Sequence, residues 1–276
     1  MGLIILKKHC MTCKTDWLLA VGCSLTWGSE ITQPGESLEQ DKLSAWPAHL
    51  GNLLKANTII NRGYPGRSNN SIYRVAVQEL ANYKNKLGNN GILIVQWSGE
   101  MRLEFFTPFR FDLKKFYKDS CGQHHHPGPE GSYFCVSPNE ILDIKIQQSF
   151  AGLHQYFFNY WAHQHYQQEL LINYSLSLTG LANKLGIKIL QFNGIDEIIP
   201  DIIPDHASAA LSLIDNEYFH PFDRSYAFWN HVTNKFPRAP VWNKNGTFPV
   251  PPHPDALQHQ IWADKLYEYL QTVSII

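Results

Sequence analysis

Apolar positions in this chain fall into short continuous runs separated by stretches with helical spacing. Residues 17–21 are wholly apolar, residues 92–97 are broken only by Gln96, and residues 187–192, interrupted by Lys188 and Gln191, look like another parallel strand. Residues 58–61 are a shorter strand candidate, ended by Gly63, Tyr64, Pro65 and Gly66. Unbroken runs of this length fit parallel strands covered on both faces, whereas alternation would mark a sheet with one wet face. Between them, Trp46, Leu50, Leu53 and Leu54 recur at helical spacing in 45–55, with Pro47 tolerated in the first turn. Ile72, Val75, Leu80 and Tyr83 do so in a helix capped by Asn69 or Asn70 and closed by Gly88. Alternation of strand and helix predicts an α/β fold: a three-layer α/β/α sandwich on a mostly parallel sheet.

The remaining segments are read more coarsely. Residues 1–15 form an N-terminal extension, and residues 16–276 a single domain with insertions at about 100–141 and 195–250. Residues 29–44 read as a loop above the first strand, and 100–141 as an irregular aromatic stretch. Helix is expected from about 148 to 184, in one or two pieces, with a short helix near 208–213. A final amphipathic helix covers 255–270, with Leu257, Ile261, Leu266 and Leu270 apolar. Insertions in such a fold lie over the strand ends, where substrate enters.

Composition narrows the function classes. Charged residues make up 17% of 276 and the formal net charge is −1, so no basic face for nucleic acid is expected. No run approaches the roughly 18 apolar residues of a membrane span. Residues 18–23 resemble a lipoprotein cleavage site, but the apolar stretch before Cys23 starts only at Trp17, too short for a signal segment. A cytoplasmic protein is expected. The five cysteines are odd in number and scattered, which is no disulfide framework. Cys10 and Cys13 make a single C-x-x-C, read as unpaired thiols. Cys121, His124, His126 and Cys135 have zinc-compatible side chains, but their spacing matches no strong motif. His163 and His165, two apart, do not share a helix face well. Neither metal nor cofactor is expected.

The first apolar run empties into Gly22, Cys23 and Ser24, which would hold Ser24 at the carboxyl end of a buried strand. A serine hydroxyl needs a base within hydrogen-bond reach to become a nucleophile. His253, between Pro252 and Pro254 just before the last helix, is the candidate. Gly22, Ser24, Leu25, Thr26 and Gly28 resemble the first block of the GDSL, or SGNH, hydrolases, with Cys23 where that family usually has Asp. The segment from His253 through His259 to Trp262 and Ala263 is similar to the last block. Asn61 to Gly66, followed by Ser68, Asn69 and Asn70, resembles the block that supplies an oxyanion glycine.

The resemblance implies an SGNH-hydrolase-like (flavodoxin-like) sandwich with Ser24 as nucleophile, His253 as general base, and the Ser24 and Gly66 N–H groups as oxyanion donors. It also exposes departures. Val250 stands three residues before His253, where the family carries its triad acid, so Asp255, another carboxylate or a backbone carbonyl must orient the ring. The family's oxyanion Asn has no counterpart after the 92–97 strand; Glu100 falls near its place, and an ionised carboxylate there would repel an oxyanion. Ser98, or the Gln96 amide if it faces the cavity, would substitute. His259 is read as supporting packing rather than proton transfer.

A serine esterase acting on a lipid, an acylated carbohydrate or a small ester is the leading expectation. Val250 and Glu100 keep open a catalytically impaired binding module on the same fold. The aromatic residues Tyr156 to Trp161 keep open a partner-binding protein or an oligomer contact.

Overall fold

A computed structural model describes residues 15–29, 31, 38–88, 90–99, 103–107, 125–127, 132–136, 164–195, 205–214, 218–219, 227–235, 241–242, 249–250 and 253–276. The apolar runs are strands of one sheet: β1 (Trp17–Gly22), β2 (Thr58–Gly63), β3 (Gly91–Trp97) and β7 (Lys188–Asn193). All pair in parallel, in the order β2-β1-β3-β7. Three further strands, β4 (Leu103–Thr107), β5 (His125–Pro127) and β6 (Ser132–Val136), form an antiparallel sheet in the order β4-β6-β5. Strands β8 (Val241–Trp242) and β9 (Pro249–Val250) pair antiparallel.

The helices are α1 (Ser24–Trp27), α2 (Leu38–Ser44), α3 (Trp46–Leu53), α4 (Asn69–Leu87), α5 (Gln164–Leu185), α6 (Asp205–Leu211), α7 (Phe228–Lys235) and α8 (Ala256–Thr272). Alternate strand residues face opposite layers, as the two-residue period of a strand requires. Trp17, Leu19, Val21, Leu93, Val95 and Ile189 pack with Ile72, Ala76 and Leu80 of α4 and Ile172, Leu178 and Ala182 of α5. Leu18, Ala20, Ile92, Ile94 and Leu190 pack with Trp46 and Leu50 of α3, Phe228 of α7, and Trp262, Leu266 and Leu270 of α8. The α/β/α sandwich is therefore present.

Several local expectations change. Residues 29–44 contain α2 rather than loop throughout, and 100–141 contain the antiparallel strands. The buried stripe of α8 is His259, Trp262, Ala263, Leu266 and Leu270, while Leu257 is exposed. Leu53 of α3 also faces outward. The short helix sits at Asp205–Leu211, and α7 was not anticipated. Helix α4 is capped by Ser68, whose Oγ accepts the Ser71 N–H at 3.4 Å, so neither Asn69 nor Asn70 is its cap. The aromatic segment Tyr156 to Trp161 lies outside the described residues. No helix among the described residues is long and apolar enough to cross a membrane.

The strand order positions the site. The chain leaves β1 for β2 with α3 on one face, then passes back over β1 to β3 with α4 on the other. Connections from the adjacent strands β1 and β3 thus lead in opposite directions, and ligands of open α/β sheets bind in the crevice such a reversal leaves at the carboxyl ends. Ser24 follows β1 directly.

Phe192 is fully buried between the rings of Trp46 and Trp262, with centroids 5.4 and 5.2 Å away. We expect Phe192→Ala to cost about 3–5 kcal/mol by urea unfolding. A loss below about 1 kcal/mol would mean that the packing of α3 and α8 on the sheet does not depend on this ring.

Candidate active site

Strand β1 ends at Gly22, and Cys23 then takes extended backbone angles as the N-cap of the single-turn helix α1. Ser24 is its first residue, so the Ser24 N–H belongs to the first turn, whose amides have no intrahelical partner. The Gly28 N–H closes the helix on the Ser24 carbonyl at 2.9 Å. Neighbouring β2 fixes the other side of this turn. Asn61 Nδ2 donates to the Thr26 carbonyl at 2.7 Å, and its Oδ1 accepts the Gly63 N–H at 2.8 Å. The Tyr64 N–H donates to the Gly22 carbonyl at 3.1 Å. Tyr64, Pro65, Gly66 and Arg67 then form a turn closed by the Arg67 N–H on the Tyr64 carbonyl at 3.4 Å. Gly66 sits at φ 76°, the left-handed position that a turn with proline before it reserves for glycine. Ser24 and Gly66 therefore stand on hydrogen-bonded neighbouring turns at the carboxyl edge.

His253 reaches Ser24 from the far end of the chain. Its Nε2 lies 3.1 Å from Ser24 Oγ, across 229 positions of sequence. Ser24 is buried and His253 partly so. The serine proton has a second neighbour, Cys23 Sγ at 3.9 Å, but a thiol sulfur is a weak acceptor beside an imidazole nitrogen at 3.1 Å. Trp229 of α7 meets the His253 ring edge to face, with centroids 6.1 Å apart. The Trp229 N–H is held by the Gly194 carbonyl at 2.9 Å, which ties this ring to the end of β7.

Asp255 is the N-cap of α8. Its Oδ1 accepts the Gln258 N–H at 2.9 Å, and Gln258 Oε1 accepts the Asp255 N–H at 2.9 Å. This reciprocal capping box fixes the backbone two residues after His253.

One residue offered as an oxyanion donor is placed differently from expectation. Gln96 does not face a cavity: it is fully buried, its Nε2 donates to the Trp97 carbonyl at 2.5 Å, and its Oε1 points at Cys23 and Thr26. The Ser98 N–H donates to Asn69 Oδ1 at 2.7 Å, and its carbonyl accepts from Asn69 Nδ2 at 3.3 Å. Asn69, read from sequence only as a helix cap, instead fastens the exit of β3 to the start of α4. Glu100 lies outside the described residues, as do Cys121 and His124 and the side chains of His126 and Cys135.

His259 lies in the core, with no exposed surface. Its Nδ1 accepts the Trp46 N–H at 3.1 Å, and its ring packs edge to face on Phe228 at 5.1 Å. Burial lowers its pKa to about 3, assisted by the nearby His49 and His253. Accepting at Nδ1 requires the neutral ring with its proton on Nε2. This is a packing residue that bonds α8 to α3, as the sequence suggested.

A family described as one of unknown function (DUF6071) matches residues 29–135, a span that includes Gly66, Asn69, Gln96 and Ser98 but neither Ser24 nor His253. No curated protein matches the chain. Among solved structures, the chain is similar to the lipase Lip_vut3 from a goat rumen metagenome. The two share 9% identity over 92% of this chain and 97% of that one, with a TM-score of 0.42. A second solved structure shares 11% identity over 95% of this chain and 98% of its own, with a TM-score of 0.39.

The core histidine makes stability depend on pH. Unfolded, His259 takes up a proton near pH 6.5; folded, it does so only near pH 3. Its contribution is therefore fully present above about pH 6.5 and is lost as pH falls toward 3, at up to about 1.4 kcal/mol per pH unit. Urea unfolding between pH 7 and 5 should show wild type losing stability more steeply than His259→Gln, which keeps an acceptor for Trp46 but does not titrate. Parallel slopes would refute this assignment.

Proposed function

We propose that this chain is a serine-dependent ester hydrolase that works through an acyl-enzyme. The observation that carries the reading is the 3.1 Å approach of His253 Nε2 to Ser24 Oγ at the carboxyl edge of a parallel sheet. Nucleophile and base within hydrogen-bond reach are the minimum requirement for activating a hydroxyl.

Ser24 Oγ attacks the ester carbonyl while His253 Nε2 takes its proton. The carbonyl oxygen becomes an oxyanion facing the N–H groups of Ser24 and Gly66, with the Ser98 hydroxyl as third donor. Such donors act on charge that exists only in the transition state, and losing one costs about 3–4 kcal/mol. The tetrahedral intermediate expels the alcohol, which takes the proton from His253, leaving the acyl group on Oγ. Water then attacks the acyl carbon, its proton passes to His253, and Ser24 leaves with that proton. A ring that accepts at Nε2 carries its proton on Nδ1, so it needs an acceptor there. Asp255 is the carboxylate we assign to this role; its Oδ1 holds the helix cap, and Oδ2 is the oxygen for His253. The substrate is a small, lipid or carbohydrate ester. We place the activity in the cytoplasm, where an odd and scattered set of five cysteines remains reduced.

Hydrolysis of a p-nitrophenyl ester tests the roles. Ser24→Ala should abolish turnover, and His253→Ala should lower it by about 10²- to 10⁴-fold. Asp255→Asn separates two jobs, since asparagine caps a helix about as well as aspartate but carries no charge. Turnover in that variant should fall by up to about 10⁴-fold with thermal stability nearly unchanged. Unaltered turnover would remove Asp255 from the mechanism, and a Ser24→Ala protein as active as wild type would end the serine reading.

A further inference from the structure

The polar residue that interrupts β3 is more than a tolerated fault in a buried strand. Gln96 has no exposed surface, yet both ends of its carboxamide are hydrogen-bonded. Oε1 accepts the Cys23 N–H at 3.1 Å, the Cys23 thiol at 3.4 Å and the Thr26 hydroxyl at 2.9 Å, and Nε2 donates to the Trp97 carbonyl. Chemistry fixes the amide's orientation, because a backbone N–H can only donate and a backbone carbonyl can only accept. The three groups gathered on Oε1 are the residue before Ser24, through two of its atoms, and the residue two after it.

The strands on either side are shaped around this amide. Strand β3 runs between β1 and β7, and both give way to Gln96 with glycine. A Cβ on Gly22 at the end of β1 would lie 2.1 Å from the Oγ1 of Thr26, which Gln96 holds, and 2.7 Å from Gln96 Oε1. One on Gly194, just after β7, would lie 1.9 Å from Nε2. The thiol at position 23 belongs to the same arrangement, since it donates to Oε1; an ionised carboxylate there would offer only acceptors to an oxygen that is itself an acceptor.

We propose that Gln96 is the positioning residue of the nucleophile turn: it clamps Cys23 and Thr26 from below and so holds Ser24 Oγ within reach of His253. The inference rests on the hydrolase reading for its catalytic consequence, but not for the clamp itself. Displacing a reacting group by about 1 Å can cost about a hundredfold in rate. Gln96 touches neither substrate nor reacting atoms.

The test uses the full chain carrying Gln96→Met, similar in length but without the amide, and Gln96→Glu. Two readouts are taken: the rate of fluorophosphonate labelling and hydrogen exchange at the Cys23 amide by NMR. Gln96→Met should label about 10- to 100-fold more slowly, and its Cys23 amide should exchange about tenfold faster or more, with cooperative unfolding retained. Gln96→Glu, as a neutral buried acid, keeps both an acceptor and a donor. Its labelling rate relative to wild type should be highest at low pH and fall as the carboxyl ionises, which a side chain that only fills space would not produce. A folded Gln96→Met protein with wild-type labelling and wild-type exchange at Cys23 would overturn the proposal. A folded wild type that does not label would sink the hydrolase reading alone; the clamp would then be judged on Cys23 exchange, where an unchanged rate overturns it.

Discussion

A hydrogen bond between Ser24 and His253 can form only if the two ends of the fold are packed together, and that packing is the constraint on which the site depends. Helix α8 follows His253 and lies on the same layer as α3, with Trp262, Leu266 and Leu270 buried beside Trp46 and Leu50. His259 adds a directional bond to the Trp46 N–H, which only the neutral ring can accept. The capping box of Asp255 and Gln258 then sets where α8 begins, and so where the His253 loop is held. Burial supplies the energy of this arrangement, while the polar contacts supply its registration.

The second ordering element lies on the sheet. The carboxyl ends of β1, β2 and β3 are tied by side chains that reach between elements: Asn61 to α1, Gln96 to the residues around Ser24, and Asn69 to Ser98. Each is polar, mostly hidden from water and bonded through both ends of its amide. A buried amide left unpaired would cost about 1–3 kcal/mol, whereas a paired one confers geometry at small net expense. Amides therefore serve here where charged groups would have carried a larger desolvation cost.

Much of the layer structure was legible because strands covered on both faces must be mostly apolar: residues 17–21 are so throughout, 92–97 except at Gln96, and 187–192 except at Lys188 and Gln191. Helix α2 was missed because its sequence, Leu-Glu-Gln-Asp-Lys-Leu-Ser, shows too narrow an apolar face to stand out from loop. Strands β4, β5 and β6 were missed because their pairing joins residues distant in sequence, such as Leu103 with Val136. The approach of His253 to Ser24 and the left-handed turn at Gly66 were foreshadowed by local motifs. The parts Gln96 and Asn69 play were not, because an amide's function is set by what lies within 3 Å in space, and those partners come from other strands and turns. The one available signal was Gln96 itself, a polar side chain in a run that otherwise tolerates none.

The central claim is that Ser24 is an activated nucleophile and His253 its base. Treating the purified protein with diisopropyl fluorophosphate and mapping the adduct by peptide mass spectrometry tests it most directly. The account predicts one adduct, on the peptide bearing Ser24, and little or none in an equally folded His253→Ala protein. Folded wild type left unmodified, or modified at another residue with Ser24 intact, would contradict it.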